Sequence, residues 1–179
     1  QFEHTLIIVE DDADLHFIEG CSAPKYNVAN LHAGAVELFV GKRAKLRYST
    51  IENWSKNMYN LNTKRAIVDE GGAIEWVSGS FGSHVGYLYP MSILSGKKSS
   101  CTFTGITFAG AGQNLDTGCK VVLNAPETSA AIETKSISKG GGISTFRSSV
   151  VATKKAEGSA ASVSCQSLML DDMSRSDTI

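Results

Sequence analysis

The chain has 179 residues, 42% hydrophobic and 20% charged, which is the composition of a folded globular domain and excludes a disordered one. Its 17 Lys and Arg side chains are offset by 18 Asp and Glu, for a net charge of −1, so there is no basic field to hold a nucleic-acid backbone. The longest apolar runs, such as residues 6–9, fall far short of a membrane span.

In chain order, Asp11 and Asp12 mark a turn, and Leu15, Phe17 and Gly20 follow. Val36, Leu38 and Val40 alternate as a short strand. After Gly41 come Leu46, Tyr48 and Ile51. After Gly71 and Gly72 come Ile74, Trp76 and Gly79. Gly96 precedes Cys101, Phe103, Ile106 and Phe108. Val121 and Leu123 form a second short strand. Pro126 precedes Ile132, Thr134 and Ile137, and Gly158 precedes Val163, Cys165, Leu168 and Leu170. Turn-forming residues ahead of period-two alternation read as strands with one buried face. The third member of each set breaks the alternation, which predicts a corner after the second.

The first members, residues 15, 46, 74, 101, 132 and 163, are separated by 31, 28, 27, 31 and 31 positions. Six copies of a strand-rich unit with no 3.6-residue period predict an all-β solenoid, each turn stacked on the last. A flat β-sandwich is the competing architecture and would show closer, less repetitive strands. Copy-to-copy alignment puts Cys165 in a column with Tyr48, Trp76, Phe103 and Thr134, and Cys101 in one with Leu46, Ile74, Ile132 and Val163. Parity puts Arg47, Glu133 and Lys135 on the outer face. A solenoid has two open ends, which need a cap or another chain.

Four cysteines are present, Cys21, Cys101, Cys119 and Cys165, without a C-x-x-C pair. The count permits two disulfides, but the chain is long enough to bury a core unaided and shows no secretory feature, so reduced thiols are expected. His4, His16, His32 and His84 are isolated, with no zinc-site spacing. The acidic run at residues 10–14 lacks the EF-hand pattern, residues 140–142 lack a phosphate-loop lysine, and the S-x-x-K at residues 136–139 lies in an extended segment. Repeated pairs of acidic residues in one groove, as a carbohydrate-active β-helix enzyme needs, are not evident.

Six strings carry a resemblance: EGCSAP at 19–24, YSTIENW at 48–54, YNLNTKRA at 59–66, FAGAGQNLDTG at 108–118, KSISKGGG at 135–142 and SRSDTI at 174–179. Together they resemble the SufB branch of the SufB/SufD family of iron–sulfur cluster assembly scaffolds. The resemblance implies a right-handed parallel β-helix, here about six coils of near thirty residues, with residues 1–179 as a single core domain. It implies a scaffold rather than an enzyme. Such a scaffold works with a SufC-type ATPase and with SufD or a second SufB, as a homodimer in some systems. It takes persulfide sulfur from a cysteine desulfurase and carries a transient iron–sulfur cluster, in the cytoplasm or, given a transit peptide, the plastid stroma. The family's N-terminal region and C-terminal SufC-binding helical segment are absent, and neither Gln1 nor Ile179 reads as a natural terminus, as expected of a piece of a longer protein.

Cys165 matches the family cysteine shortly before the SRSDT motif and is the leading sulfur acceptor or cluster ligand. A thiolate is required for either role. Cys119, following Gly118 near a turn, is expected to be more exposed. Cys101 is expected in the core and Cys21 in a structural role, and both rank with Cys119 as weaker candidates. Thr134 and Ser167 give the interior hydroxyls, an interior able to conduct a persulfide between cysteines, and Arg47, Lys135 and Arg147 are cations available to a nearby thiolate. Where some members carry a cysteine after TKRA, this chain has Ile67, Val68 and Asp69. A purely architectural dimerisation module, with every cysteine in the core, is the alternative function.

Overall fold

The computed structural model describes residues 1–23 and 27–179, so Pro24 of the EGCSAP string lies outside the described residues. The strands are β1 (Phe2–Val9), β2 (Asp14–Ser22), β3 (Asn30–Val40), β4 (Lys45–Asn53), β5 (Met58–Val68), β6 (Ala73–Ser80), β7 (Val85–Leu88), β8 (Met91–Leu94), β9 (Ser100–Ala109), β10 (Asn114–Leu123), β11 (Ser129–Ser138), β12 (Ile143–Ala152), β13 (Ala160–Met169) and β14 (Arg175–Thr178). No helix occurs among the described residues.

The chain winds alternately through two parallel sheets. The first runs β1-β3-β5-β7-β10-β12-β14, with β8 continuing beyond β7 between β5 and β10. The second runs β2-β4-β6-β9-β11-β13. Each unit found in the sequence contributes one strand to the second sheet, so the six units are six coils of a β-solenoid. The parallel pairing excludes the antiparallel sandwich.

The turns from the first sheet into the second stack as the strands do. Asp12, Arg43, Gly71, Lys98, Glu127 and Gly158 adopt left-handed φ values of 57–67°. Each of the first five donates its backbone N–H to a carbonyl of the next coil's turn. Arg43 Nε reaches Asp12 Oδ1 at 2.6 Å, and Lys97 Nζ reaches Glu127 Oε1 at 2.8 Å. Only two of these positions are glycine, although glycine meets the left-handed conformation at least cost.

Between the sheets lie Val36, Leu38, Val40, Leu46, Ile74, Val68, Leu94, Val121 and Leu123, each at most 3% exposed. Each such side chain stabilises the fold by about 1.5–3 kcal/mol. Phe17, Tyr48 and Trp76 stack along the coil axis, with centroids 5.1 and 5.4 Å apart.

Two features of the strands depart from the sequence expectation. No corner follows the second member of each set. β4 continues straight through Ile51 with unbroken alternation, and Ile51, Ile106, Ile137 and Leu168 project outward, 38–54% exposed. The third members are surface residues on the outer face. The register between β9 and β11 also differs: Cys101 pairs with Ala130, Phe103 with Ile132 and Gly105 with Thr134. This is a two-residue offset from the copy-to-copy alignment.

Candidate functional site

The offset gives Cys165 different neighbours. Through β11, β9, β6, β4 and β2 its inward column is Thr134, Gly105, Ser78, Thr50 and Glu19, not the aromatic one. The next inward column is also polar: Cys21, Glu52, Ser80, Thr107, Ser136 and Ser167. The aromatic column instead ends in Ile132 and Val163. Likewise, Cys101 shares its column with Leu46 and Ile74 but not with Ile132 or Val163. One side of the interior is therefore apolar and the other is lined with hydroxyls, carboxylates and thiols.

At the first three coils this polar side holds a charged network. Lys64 is 2% exposed. Strict alternation along β5 turns it inward with Ala66 and Val68. Its Nζ donates to Glu19 Oε2 at 2.6 Å and Thr50 Oγ1 at 2.9 Å, and lies 4.7 Å from the Tyr48 ring centroid. Tyr48 donates its hydroxyl to Glu19 at 2.9 Å. Burial raises the Glu19 carboxyl, but the Lys64 charge and its hydrogen bonds outweigh that and hold it below the usual value. Glu52 accepts from Asn60 at 2.7 Å and Asn62 at 2.9 Å, and burial pushes its carboxyl upward. His32, 1% exposed, joins Asn60 Oδ1 at 2.8 Å and Glu3 Oε1 at 3.1 Å. The void beside Glu52 holds about 10 Å³, so the columns are packed there rather than hollow.

The four thiols occupy three environments. Cys165 lies on β13 of the second sheet, where its inward side chain is half-buried. Its Sγ is 3.3 Å from Thr178 Oγ1 on β14. Cys21 is half-buried in the first coil, where burial, then the carboxylates of Glu19 and Glu52, push its thiol up to about 12. Such a thiol is protonated at neutral pH and a poor nucleophile. Cys101 is in the core, as expected, at 1% exposure. Cys119 is not exposed: it sits mid-strand in β10, faces inward, and is 2% exposed.

The proposed auxiliary cations lie elsewhere. Arg47 pairs with Glu75 at 3.6 Å and Lys135 with Glu133 at 3.3 Å, on the outer face as parity requires. Arg147 holds Asp116 through bonds of 3.0 and 3.1 Å, and Asp116 also accepts from the Tyr89 hydroxyl. None of the three faces a thiol along the inward columns. The sequence reading missed Lys64, Glu19 and Glu52 as an interior charge cluster. The parity of the TKRA string against Ala66 and Val68 was the available signal. Among the described residues no group of three or more His, Cys, Asp and Glu side chains is arranged to hold a metal ion.

A family model described as "SUF system FeS cluster assembly, SufBD core domain" matches residues 1–179. The chain is 47% identical over 179 residues to an iron-sulfur cluster assembly SufBD family protein of Staphylococcus aureus strain MRSA252. It is 45% identical over the same span to the iron-sulfur cluster assembly protein SufB of Bacillus subtilis strain 168. Each match covers all of this chain and 38% of the relative's length.

Proposed function

The chain belongs to the SufBD core family of iron–sulfur cluster assembly proteins, and from that membership we propose that it is the coil portion of a SufB-type scaffold that accepts sulfur at Cys165. The family is an assembly scaffold family, and the cluster is its cargo. The 45% identity to a protein named SufB supports the SufB-type reading.

The single observation that carries the residue assignment is the placement of Cys165. Its thiol is half-buried in the terminal coil, in a polar column, beside the Thr178 hydroxyl at 3.3 Å. Cys101 and Cys119 are enclosed, and Cys21 is held protonated. In the proposed step the Cys165 thiolate attacks the outer sulfur of a donor persulfide. The donor's S–S bond breaks, the donor leaves as a thiolate, and Cys165 carries the transferred sulfur. Iron then binds that sulfur, with the remaining ligands supplied by a partner chain.

The partners remain those the family implies: a cysteine desulfurase as sulfur donor, a SufC-type ATPase, and SufD or a second copy of the protein. The proposed compartment is the cytoplasm. An ATPase activity would belong to the SufC-type partner.

The test is persulfide labelling of the full-length protein under anaerobic conditions, followed by iron loading. Cys165→Ser should lose the labelled species and the cluster absorption, while Cys101→Ser retains both. Undiminished labelling of Cys165→Ser would remove the assignment, leaving the architectural role.

A further inference from the structure

The outer face of the first sheet carries a continuous apolar row that the sulfur step does not use. Ile8, Phe39, Ile67, Ile93, Val122 and Val151 are register partners across six strands. Ile8, Phe39, Ile67 and Val151 are 41–63% exposed. At a strand spacing of about 4.8 Å the row runs roughly 24 Å along the coil axis. A contiguous exposed apolar row rimmed by polar residues is the mark of an interaction surface.

The charges beside the row change sign along it. In the turns of the first three coils, Glu10, Asp11, Asp12, Asp69 and Glu70 stand against Lys42 and Arg43. In the turns of the last three, Lys97, Lys98, Lys154 and Lys155 stand against Glu127 and Glu157. The first-coil end of the row floors a groove of about 700 Å³ rimmed by Glu10, Asp11 and Asp69. A hollow of about 560 Å³ in the turns at the other end is rimmed by Lys97, Lys154 and Lys155. On the opposite flank the neighbouring outward row reads Leu6, Glu37, Arg65, Met91, Lys120 and Ser149. Glu37 pairs with His4 at 2.8 Å. Among the described residues Glu10, Asp11, Asp69, Lys120, Lys154 and Lys155 are in no ion pair.

We propose that this face is a self-association surface, on which a second copy of the protein packs about a two-fold axis parallel to the strands. Such an axis lays each row over its own counterpart and reverses the order of the coils. Ile8 then lies over the second copy's Val151, Phe39 over its Val122 and Ile67 over its Ile93. In the neighbouring row Glu37 comes over Lys120, and by symmetry this contact is made twice. The acidic turns lie against the lysine-rich ones. Packing with the coils in the same order would set like charges together, which opposes it. The surface belongs to the sheet that does not carry Cys165, so the inference is independent of the sulfur step.

The test is sedimentation equilibrium of the full-length protein, comparing the wild type with Glu37→Lys, Lys120→Glu and the double variant. Each single reversal sets two like-charged pairs across the interface and should weaken the association by about tenfold or more. The double reversal rebuilds both pairs in the opposite sense and should restore the wild-type affinity. Within one chain, positions 37 and 120 are three strand spacings apart, about 14 Å, so the rescue reports on a contact between copies. A full-length protein that stays monomeric overturns the proposal. So do single reversals that leave the association unchanged, or a double variant no tighter than the singles.

Discussion

Lys64 is a fully enclosed ammonium group whose charge is met by Glu19, Thr50 and the Tyr48 ring. Removing one partner of a buried pair leaves the other uncompensated, at a cost of about 3–5 kcal/mol. Lys64→Met should lower the urea midpoint by a corresponding amount without changing the slope of the transition. The two carboxyls of the network respond to pH in opposite senses. Glu19 is held low in the fold, so its contribution is present above its unfolded value and is lost as pH falls through the lowered one. Glu52 is raised, so its contribution is full below the unfolded value and is lost as pH rises toward the folded one. Glu52→Gln should therefore flatten the decline in stability as pH rises above the ordinary carboxylate range, as followed by denaturant titration. An unchanged slope with pH would mean that Glu52 ionises freely in the fold. Cys21 illustrates the same physics for a thiol: burial, and then the neighbouring carboxylates of Glu19 and Glu52, remove it from nucleophilic chemistry.

At the scale of a strand, alternation decides which side chains bear on stability. Tyr48 and Ile51 belong to the same repeated pattern, yet one is 1% exposed and the other 54%. Truncating Tyr48 to Ala removes an aromatic stack and should cost about 3–5 kcal/mol. Ile51→Thr on the outer face should change stability by about 0.5 kcal/mol or less. Comparable losses from the two substitutions would indicate a corner after Tyr48 and a buried Ile51. The outward apolar positions also form continuous ladders. Ile8, Phe39, Ile67, Ile93, Val122 and Val151 lie in one row across the first sheet. Parity was legible in the residues because strand faces repeat every two positions. The third member of each unit was misread because hydrophobicity was taken as a sign of burial. Apolar side chains also make up much of an ordinary protein surface.

Across the whole molecule, each coil is covered only by its neighbours, as in other repeat folds. Among the described residues β13 pairs with β11 alone, and its residues other than Cys165 are exposed. Hydrogen exchange should therefore be slowest in β4, β6, β9 and β11 and markedly faster in β2 and β13. Docking a partner on the terminal coil should slow exchange in β13 and β14 and leave β4 unchanged. Uniform protection from β2 to β13 in the isolated chain would contradict nearest-neighbour stabilisation. In this structure the Cys165 thiol is half-buried and Cys101 is enclosed, although both point inward.

Coil number, the two faces of each strand and the stacked turns were determined by the sequence itself, because period and turn chemistry are local properties. Lateral register is not local. A shift of two residues between β9 and β11 keeps every inward side chain inward. Alternation alone cannot reveal that shift, and it moves Cys165 from an aromatic column to a polar one. The tertiary structure also decided that Lys64 finds Glu19, since those residues come from opposite sheets and only the closed coil brings the sheets face to face.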